Sequence, residues 1–221
     1  MSDMAGSKAA ALFAWAQVED RASLLLDYSG CGESSGEFAA GTLSRWRDEV
    51  VALVETKCPG PAILIGSSMG GWLMLLVALT LGDRVRGLVG VAAAPDFTDW
   101  GRDATQKAAL ERGETVLEEN PYGPEPTPMH PAFWRDGQAN RVLDPGSKAG
   151  AGGEIALDCP VRLIHGQRDS DVPFDVSLRL ARHLRSADVQ VTLVKDGDHR
   201  LSREADIALL LRVVEELADR P

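Results

Sequence analysis

The sequence predicts an α/β fold, a mostly parallel sheet with helices on both faces and one long, lid-like insertion. Three observations lead there. Apolar runs of strand length alternate with helical patterns along most of the 221 residues. These runs are apolar throughout instead of alternating with polar residues, which marks strands buried on both faces. The strand-like run "PAILI" (61–65) passes through "GSSMGG" (66–71) into the apolar helical run "WLMLLVALT" (72–80). A serine held between glycines at such a junction is placed there to present its hydroxyl.

The elements follow in chain order. "MSDMAGSKAAALFAWAQ" opens as a loop and becomes a helix, with Ser7 as its cap. "ASLLLD" (22–27) predicts a strand, "LSRWRDEVVALVET" (43–56) an amphipathic helix, and "PAILIG" (61–66) a strand. "MGGWLMLLVALTLG" (69–82) is a helix apolar nearly all round, and "VRGLVGVAAA" (85–94) is a strand. The excursion from Pro95 to Asp158 is helical up to Gly113, while its middle, "NPYGPEPTPMHP", holds too much proline for one regular element. "CPVRLIHG" (strand), "DVSLRLARHLRSA" (helix), "VQVTLVKDG" (strand) and "READIALLLRVVEELADR" (helix) complete the chain. No repeat or linker divides it, so residues 1–221 form one domain with an insertion over about 96–158. Insertions between strands of such sheets usually serve the site, often as a lid.

Composition excludes several classes. A formal charge of −10 argues against nucleic acid or an anionic membrane as partner, since both need basic clusters. No run reaches the ~20 apolar residues that span a bilayer. The N-terminus lacks the basic start and apolar block of a signal peptide. Cys31, Cys58 and Cys159 are scattered and odd in number, with neither metal-ligand spacing nor a disulfide framework. A reducing, cytoplasmic setting is expected, with no metal and no cofactor.

The chemistry concentrates at Gly66-Ser67-Ser68-Met69-Gly70, which matches G-x-S-x-G between a strand and a helix. Ser68 would sit on the strained turn as nucleophile, Gly66 and Gly70 would let the backbone bend, and Ser67 would be a small flanking residue. The helix N-terminus would aim the Met69 N–H at a developing oxyanion. A serine hydroxyl needs a base. Among four histidines, His199 in "KDGDHRLSREA" follows the last strand and lies at the rim that carries Ser68. His183 is mid-helix between arginines, His130 lies in the proline-rich excursion, and His165 ends a strand where it packs or bonds locally. The base in turn needs a carboxylate to hold its tautomer. "IHGQRDSDVP" (164–173) offers Asp169, where the chain leaves the strand, and Asp171, which precedes Val172-Pro173 and suits a helix cap. Asp169 is preferred, and the choice between the two stays open.

The order Ser68, Asp169, His199 is that of the α/β-hydrolases, and the chain resembles that family. "DYSGCGESSG" (27–36) resembles the family's loop after its fourth strand, with Cys31 where a histidine is often found. "SDMAGSKA", "GSSMGGWLML", "HGQRDSDVP" and "GDHRLSREADIALLL" resemble the subgroup of the mitochondrial palmitoyl-protein thioesterase that is also a mycophenolic acid acyl-glucuronide esterase. The resemblance covers nearly the whole chain and is weakest in the excursion. It implies Ser68 as nucleophile, Asp169 as acid, His199 as base and an ester or thioester substrate, on a small molecule or an acylated protein.

One departure stands out. The family places a central strand and a glycine-containing loop before "SDMAGSKA", and that loop supplies a second oxyanion N–H. The sequence begins at Met1 without them, so an N-terminally short version is expected, with a gap between the strands at 22–27 and 61–66. The expected activity is cleavage of carboxylic esters or thioesters by a serine hydrolase. The alternatives are a catalytically impaired hydrolase-fold binding protein, favoured by the missing loop, and perhydrolysis on the same fold.

Overall fold

The computed structural model describes residues 4–120, 123–143 and 153–220. In chain order its elements are α1 (Ser7–Val18), α2 (Leu43–Lys57), β1 (Ala62–Ser67), α3 (Met69–Leu81), β2 (Val85–Val91) and α4 (Ala104–Arg112). They continue with β3 (Val116–Glu118), β4 (Thr127–Met129), α5 (Pro131–Ala139), β5 (Val161–Gly166), α6 (Asp175–His183), β6 (Val189–Val194) and α7 (Glu204–Ala218).

Four apolar runs pair into one parallel sheet in the order β1-β2-β5-β6. Side chains of a strand alternate between faces, and here both faces are covered. Leu88 of β2 and Val161 and Leu163 of β5 join the larger core cluster, with α2, α3 and α6. Val89, Val91 and Ile164, one residue out of phase, join a second cluster with Leu210, Val214 and Leu217 of α7. α1 lies against α7 on that side. α3 is apolar all round because nine of its thirteen residues are buried, between β1 and β2 below and α2 above. α2 begins at Thr42, whose hydroxyl accepts the Arg45 N–H at 3.2 Å.

The run at 22–27 is not a strand. Its apolar composition favours extended chain, but a strand also needs a hydrogen-bonded neighbour, and among the described residues β1 pairs only with β2. β1 is therefore the outer strand, and its Ile65 is 38% exposed. Two smaller expectations also change. Ser7 lies inside α1, whose cap is Gly6. β2 ends at Val91 rather than 94, where Ala92 turns to φ +46°.

The insertion carries α4, the antiparallel hairpin β3–β4 and α5. α4 ends where expected, with Gly113 in the left-handed region at φ +92°. Pro128 is tolerated in a strand because a two-stranded hairpin has only edge strands. A chain of rings holds the insertion on the domain: Tyr28–Trp46, Trp46–Phe133, Phe133–Phe97 and Phe97–Trp72, with centroids 5.4 to 6.0 Å apart. Ser44 at the start of α2 donates its N–H and its hydroxyl to the Asp136 carboxylate of α5, both at 2.7 Å. The buried Asp96 accepts the backbone N–H groups of Val142 and Leu143, each at 2.8 Å. The expected boundary at 158 follows a stretch, 144–152, outside the described residues.

Candidate active site

The chain turns from β1 into α3 at Ser68, which has φ +54° and ψ −122°. This is strained for any residue with a Cβ, at roughly 1–3 kcal/mol. Ser68 occupies the N-cap position, where a serine side chain normally accepts a helix N–H. Here it makes no such bond. The backbone instead is pinned from both sides: the Ser68 N–H donates to the Val91 carbonyl at 2.9 Å, and the Ser68 carbonyl accepts from Ala94 at 3.0 Å. The hydroxyl is left to point away from the helix.

Close packing explains two of the glycines around it. A Cβ on Gly66 would stand 2.2 Å from the Gly70 carbonyl oxygen, and one on Gly71 would stand 2.5 Å from Ala93 Cβ. Gly70, expected to be small for the same reason as Gly66, faces open space. Gly66 is therefore needed to clear the backbone of Gly70 and Gly71, and Gly71 to clear Ala93 just after β2. Met69 is the first residue of α3, so its N–H is one of the four without a partner inside the helix.

His199 Nε2 lies 3.0 Å from Ser68 Oγ, and His199 Nδ1 lies 2.8 Å from Asp169 Oδ2. Ser68, Asp169 and His199 follow the carboxyl ends of β1, β5 and β6, so a parallel sheet brings them to one rim. Asp169 Oδ1 accepts the N–H groups of Asp171 and Val172 at 2.9 and 2.8 Å. The Asp169 side chain is fully buried, which by itself would push its carboxyl up. Hydrogen bonds from His165, His199 and the Val172 N–H outweigh that and hold it well below the usual carboxylate range. Asp171 is exposed, and its own carboxylate accepts from Ser170 Oγ at 3.2 Å. It is not the cap of α6 either, whose N-cap is Phe174.

The loop bearing His199 is fixed at several points. Gln167 and Arg168 donate to the carbonyls of Val194 and Gly197, stitching the turn after β5 to the turn after β6. A Cβ on Gly166 would stand 2.3 Å from the Gly197 carbonyl oxygen, so that crossing needs glycine at 166. Leu201 takes φ +42° while its N–H donates to Asp198 Oδ1. Lys8 Nζ of α1 donates to the Arg200 carbonyl beside His199. Sequence reading did not single out Lys8, Gly71 or Gly166. The block "SDMAGSKA" carries no local signal of which side chain reaches across 192 positions.

The other histidines fall elsewhere. His183 Nδ1 meets the Gly153 carbonyl at 2.6 Å, and His130 packs edge-on to Phe38 with Thr115 Oγ1 at 3.3 Å. His165 is fully buried and bonded to Asp169 and Ser177.

A model of the alpha/beta hydrolase family matches residues 7–213. The chain belongs to the α/β-hydrolase family. It is 36% identical to "Palmitoyl-protein thioesterase ABHD10, mitochondrial" of Mus musculus, over all of this chain and 73% of that protein. The Homo sapiens protein of the same name is 32% identical, over all of this chain and 71% of its own length. A solved structure of a putative hydrolase from Agrobacterium vitis S4 superposes with TM-score 0.89 at 39% identity, covering 98% of this chain and 84% of that one. Mouse alpha/beta hydrolase domain-containing protein 10 superposes with TM-score 0.88 at 33% identity, covering 99% and 86%. The expected enzyme class, a hydrolase of esterase or thioesterase type, agrees with this membership. The cytoplasmic expectation is not supported by these relatives, which are named mitochondrial. Among the described residues no helix is long and apolar enough to cross a membrane, and no cluster of three or more His, Cys, Asp or Glu could hold a metal ion.

Proposed function

We propose that this hydrolase cleaves carboxylic esters or thioesters through Ser68, His199 and Asp169. The reading rests on the unbroken line from Ser68 Oγ through the His199 ring to the buried Asp169 carboxylate. Asp169 accepts from His199 Nδ1–H, which leaves Nε2 unprotonated toward Ser68. His199 Nε2 takes the hydroxyl proton as Ser68 Oγ bonds to the substrate carbonyl carbon. The carbonyl π electrons move to oxygen, where the Met69 N–H and the positive end of α3 stabilise them. The tetrahedral adduct collapses as His199 returns the proton to the leaving alcohol or thiol. Water, deprotonated by the same ring, then frees the acid and restores Ser68.

The substrate class follows the relatives named palmitoyl-protein thioesterase, so long-chain acyl thioesters are the first candidates, and the sequence resemblance adds acyl glucuronides. The insertion, held over the domain by its aromatic chain and by Asp96, would shape the acyl pocket as a lid. The test is a hydrolysis panel of acyl thioesters, p-nitrophenyl esters and acyl glucuronides, run on the wild type and on Ser68→Ala. Turnover of the thioesters that vanishes in Ser68→Ala is expected. Turnover that survives it would sink the reading by assigning another nucleophile, and a wild type inert to every substrate and to a fluorophosphonate would sink it in favour of a binding protein.

A further inference from the structure

Asp169 is shared by two histidines, and only one of them reaches Ser68. Its Oδ2 lies 2.8 Å from His199 Nδ1 and 3.1 Å from His165 Nε2. His165 Nε2 is also 2.9 Å from the Val172 carbonyl, and its Nδ1 is 2.7 Å from Ser177 Oγ. A carboxylate and a carbonyl are both acceptors, so the network places the proton on Nε2. Its Nδ1 is left to pair with the Ser177 hydroxyl. Two serine–histidine pairs thus converge on one carboxylate. Burial separates them: His165 and Ser177 are 0% and 1% exposed, beyond the reach of any substrate, whereas the His199 side chain is 15% exposed beside Ser68.

The strand and the helix produce this arrangement. Val161, Leu163 and His165 share the face of β5 turned toward α6, and Ser177 lies in the first turn of α6. An apolar residue at 165 would continue that core. A histidine there instead costs a buried polar ring that must be satisfied at both nitrogens, and its partners are the Asp169 carboxylate, the adjacent Val172 carbonyl and one serine.

We infer that His165 is a positioning residue for the proposed triad: its Nε2–H, oriented by Ser177, locks the Asp169 carboxylate so that Oδ2 stays on His199. The inference rests on the triad reading. The Asp171 and Val172 N–H groups hold Oδ1, but they leave the carboxylate free to swing about that oxygen unless a second donor holds Oδ2. The ionisable side chains bonded to Asp169 are His165 and His199.

An isosteric pair of variants tests it. In His165→Gln the amide nitrogen falls near the position of Nε2 and can still donate to Asp169. In His165→Asn it falls near Nδ1 and cannot. With ester hydrolysis as readout, His165→Asn should lose about 10- to 100-fold in kcat at little change in KM, the loss expected for a donor to a charged group. The acid limb of its kcat/KM profile should move to lower pH, because a carboxylate free to swing off His199 stabilises the imidazolium less. His165→Gln should recover most of the rate and the wild-type limb. Equal losses in the two variants, or an acid limb unmoved in His165→Asn, would assign His165 to packing alone and overturn the inference while leaving the triad standing. If neither variant folds, Ser177→Ala decides: a smaller loss of kcat at constant KM supports the inference, and an unchanged kcat overturns it. A wild type that neither hydrolyses esters nor takes a fluorophosphonate removes the triad reading, and this inference with it.

Discussion

Ser68 Oγ and His199 Nε2 are 3.0 Å apart across 131 positions of sequence, and Ser68 gives up the helix cap to make that contact. The strain at φ +54° is kept where a glycine would relax it. Ser68→Gly should therefore be inactive yet more stable than Ser68→Ala by about 1 kcal/mol, since alanine keeps the strain and glycine relieves it. Urea unfolding of the two inactive variants measures the difference. Equal midpoints would mean that the turn is not strained.

The glycines of the turn should separate. Gly66→Ala and Gly71→Ala place a Cβ 2.2 and 2.5 Å from neighbouring atoms, so both should lose activity and stability. Gly70→Ala meets nothing within 4 Å and replaces glycine by a better helix former, worth up to about 1 kcal/mol. It should fold at least as well as wild type and keep its hydrolytic rate. Melting temperature and kcat, measured on all three, check the pattern; a damaged Gly70→Ala would contradict it.

Asp169→Asn removes the charge that holds His199 in its productive tautomer, so kcat should fall by about 10⁴-fold, as for the acid of other such triads. Asp171→Asn, at an exposed carboxylate turned toward Ser170, should change kcat less than twofold, within about 0.4 kcal/mol. Steady-state kinetics on the pair closes the choice that the sequence left open. A larger loss in Asp171→Asn would reverse the assignment.

The sheet, its helices and the candidate trio were legible because each leaves a local pattern. β1, β2, β5 and β6 are apolar runs with helical runs between them, and Ser68, Asp169 and His199 each follow a strand end. The run at 22–27 misled because its apolar residues report a preference for extended chain and say nothing of a neighbour to pair with. Gly70 misled because the pattern G-x-S-x-G carries no information on which glycine meets a wall. His165 was read correctly as a locally bonded residue, but its partner Asp169 is fixed by the turn after β5, which no periodicity encodes. Asp96 was invisible for a similar reason: its bonds to Val142 and Leu143 cross 46 and 47 positions.

Asp96 should act as a clasp for the insertion. It is buried, takes φ +65°, and accepts two backbone N–H groups. Asp96→Ala strands both donors and keeps an unfavourable backbone, so it should cost about 2–4 kcal/mol. Asp96→Gly loses the same bonds but relaxes the backbone, and should cost about 1 kcal/mol less than alanine. Denaturant midpoints rank the two. Equal costs would place the whole effect in the hydrogen bonds.

Stability in acid should carry the signature of Asp169. Its carboxyl titrates well below the usual range in the folded chain, whereas an unfolded aspartate titrates near 3.9. The folded state therefore binds that proton less readily than the unfolded state. Its contribution is fully present above about pH 4 and is lost as the pH falls from there toward the folded value. Asp169→Asn has no such proton to bind. The difference in unfolding free energy between wild type and Asp169→Asn should be flat from about pH 7 to pH 5 and then move steadily against the wild type below about pH 4. Urea titrations at a series of pH values measure it directly. A difference that stays constant down to about pH 3 would mean that Asp169 is not held ionised by its donors, and that the histidine contacts on Oδ2 do not stabilise its charge.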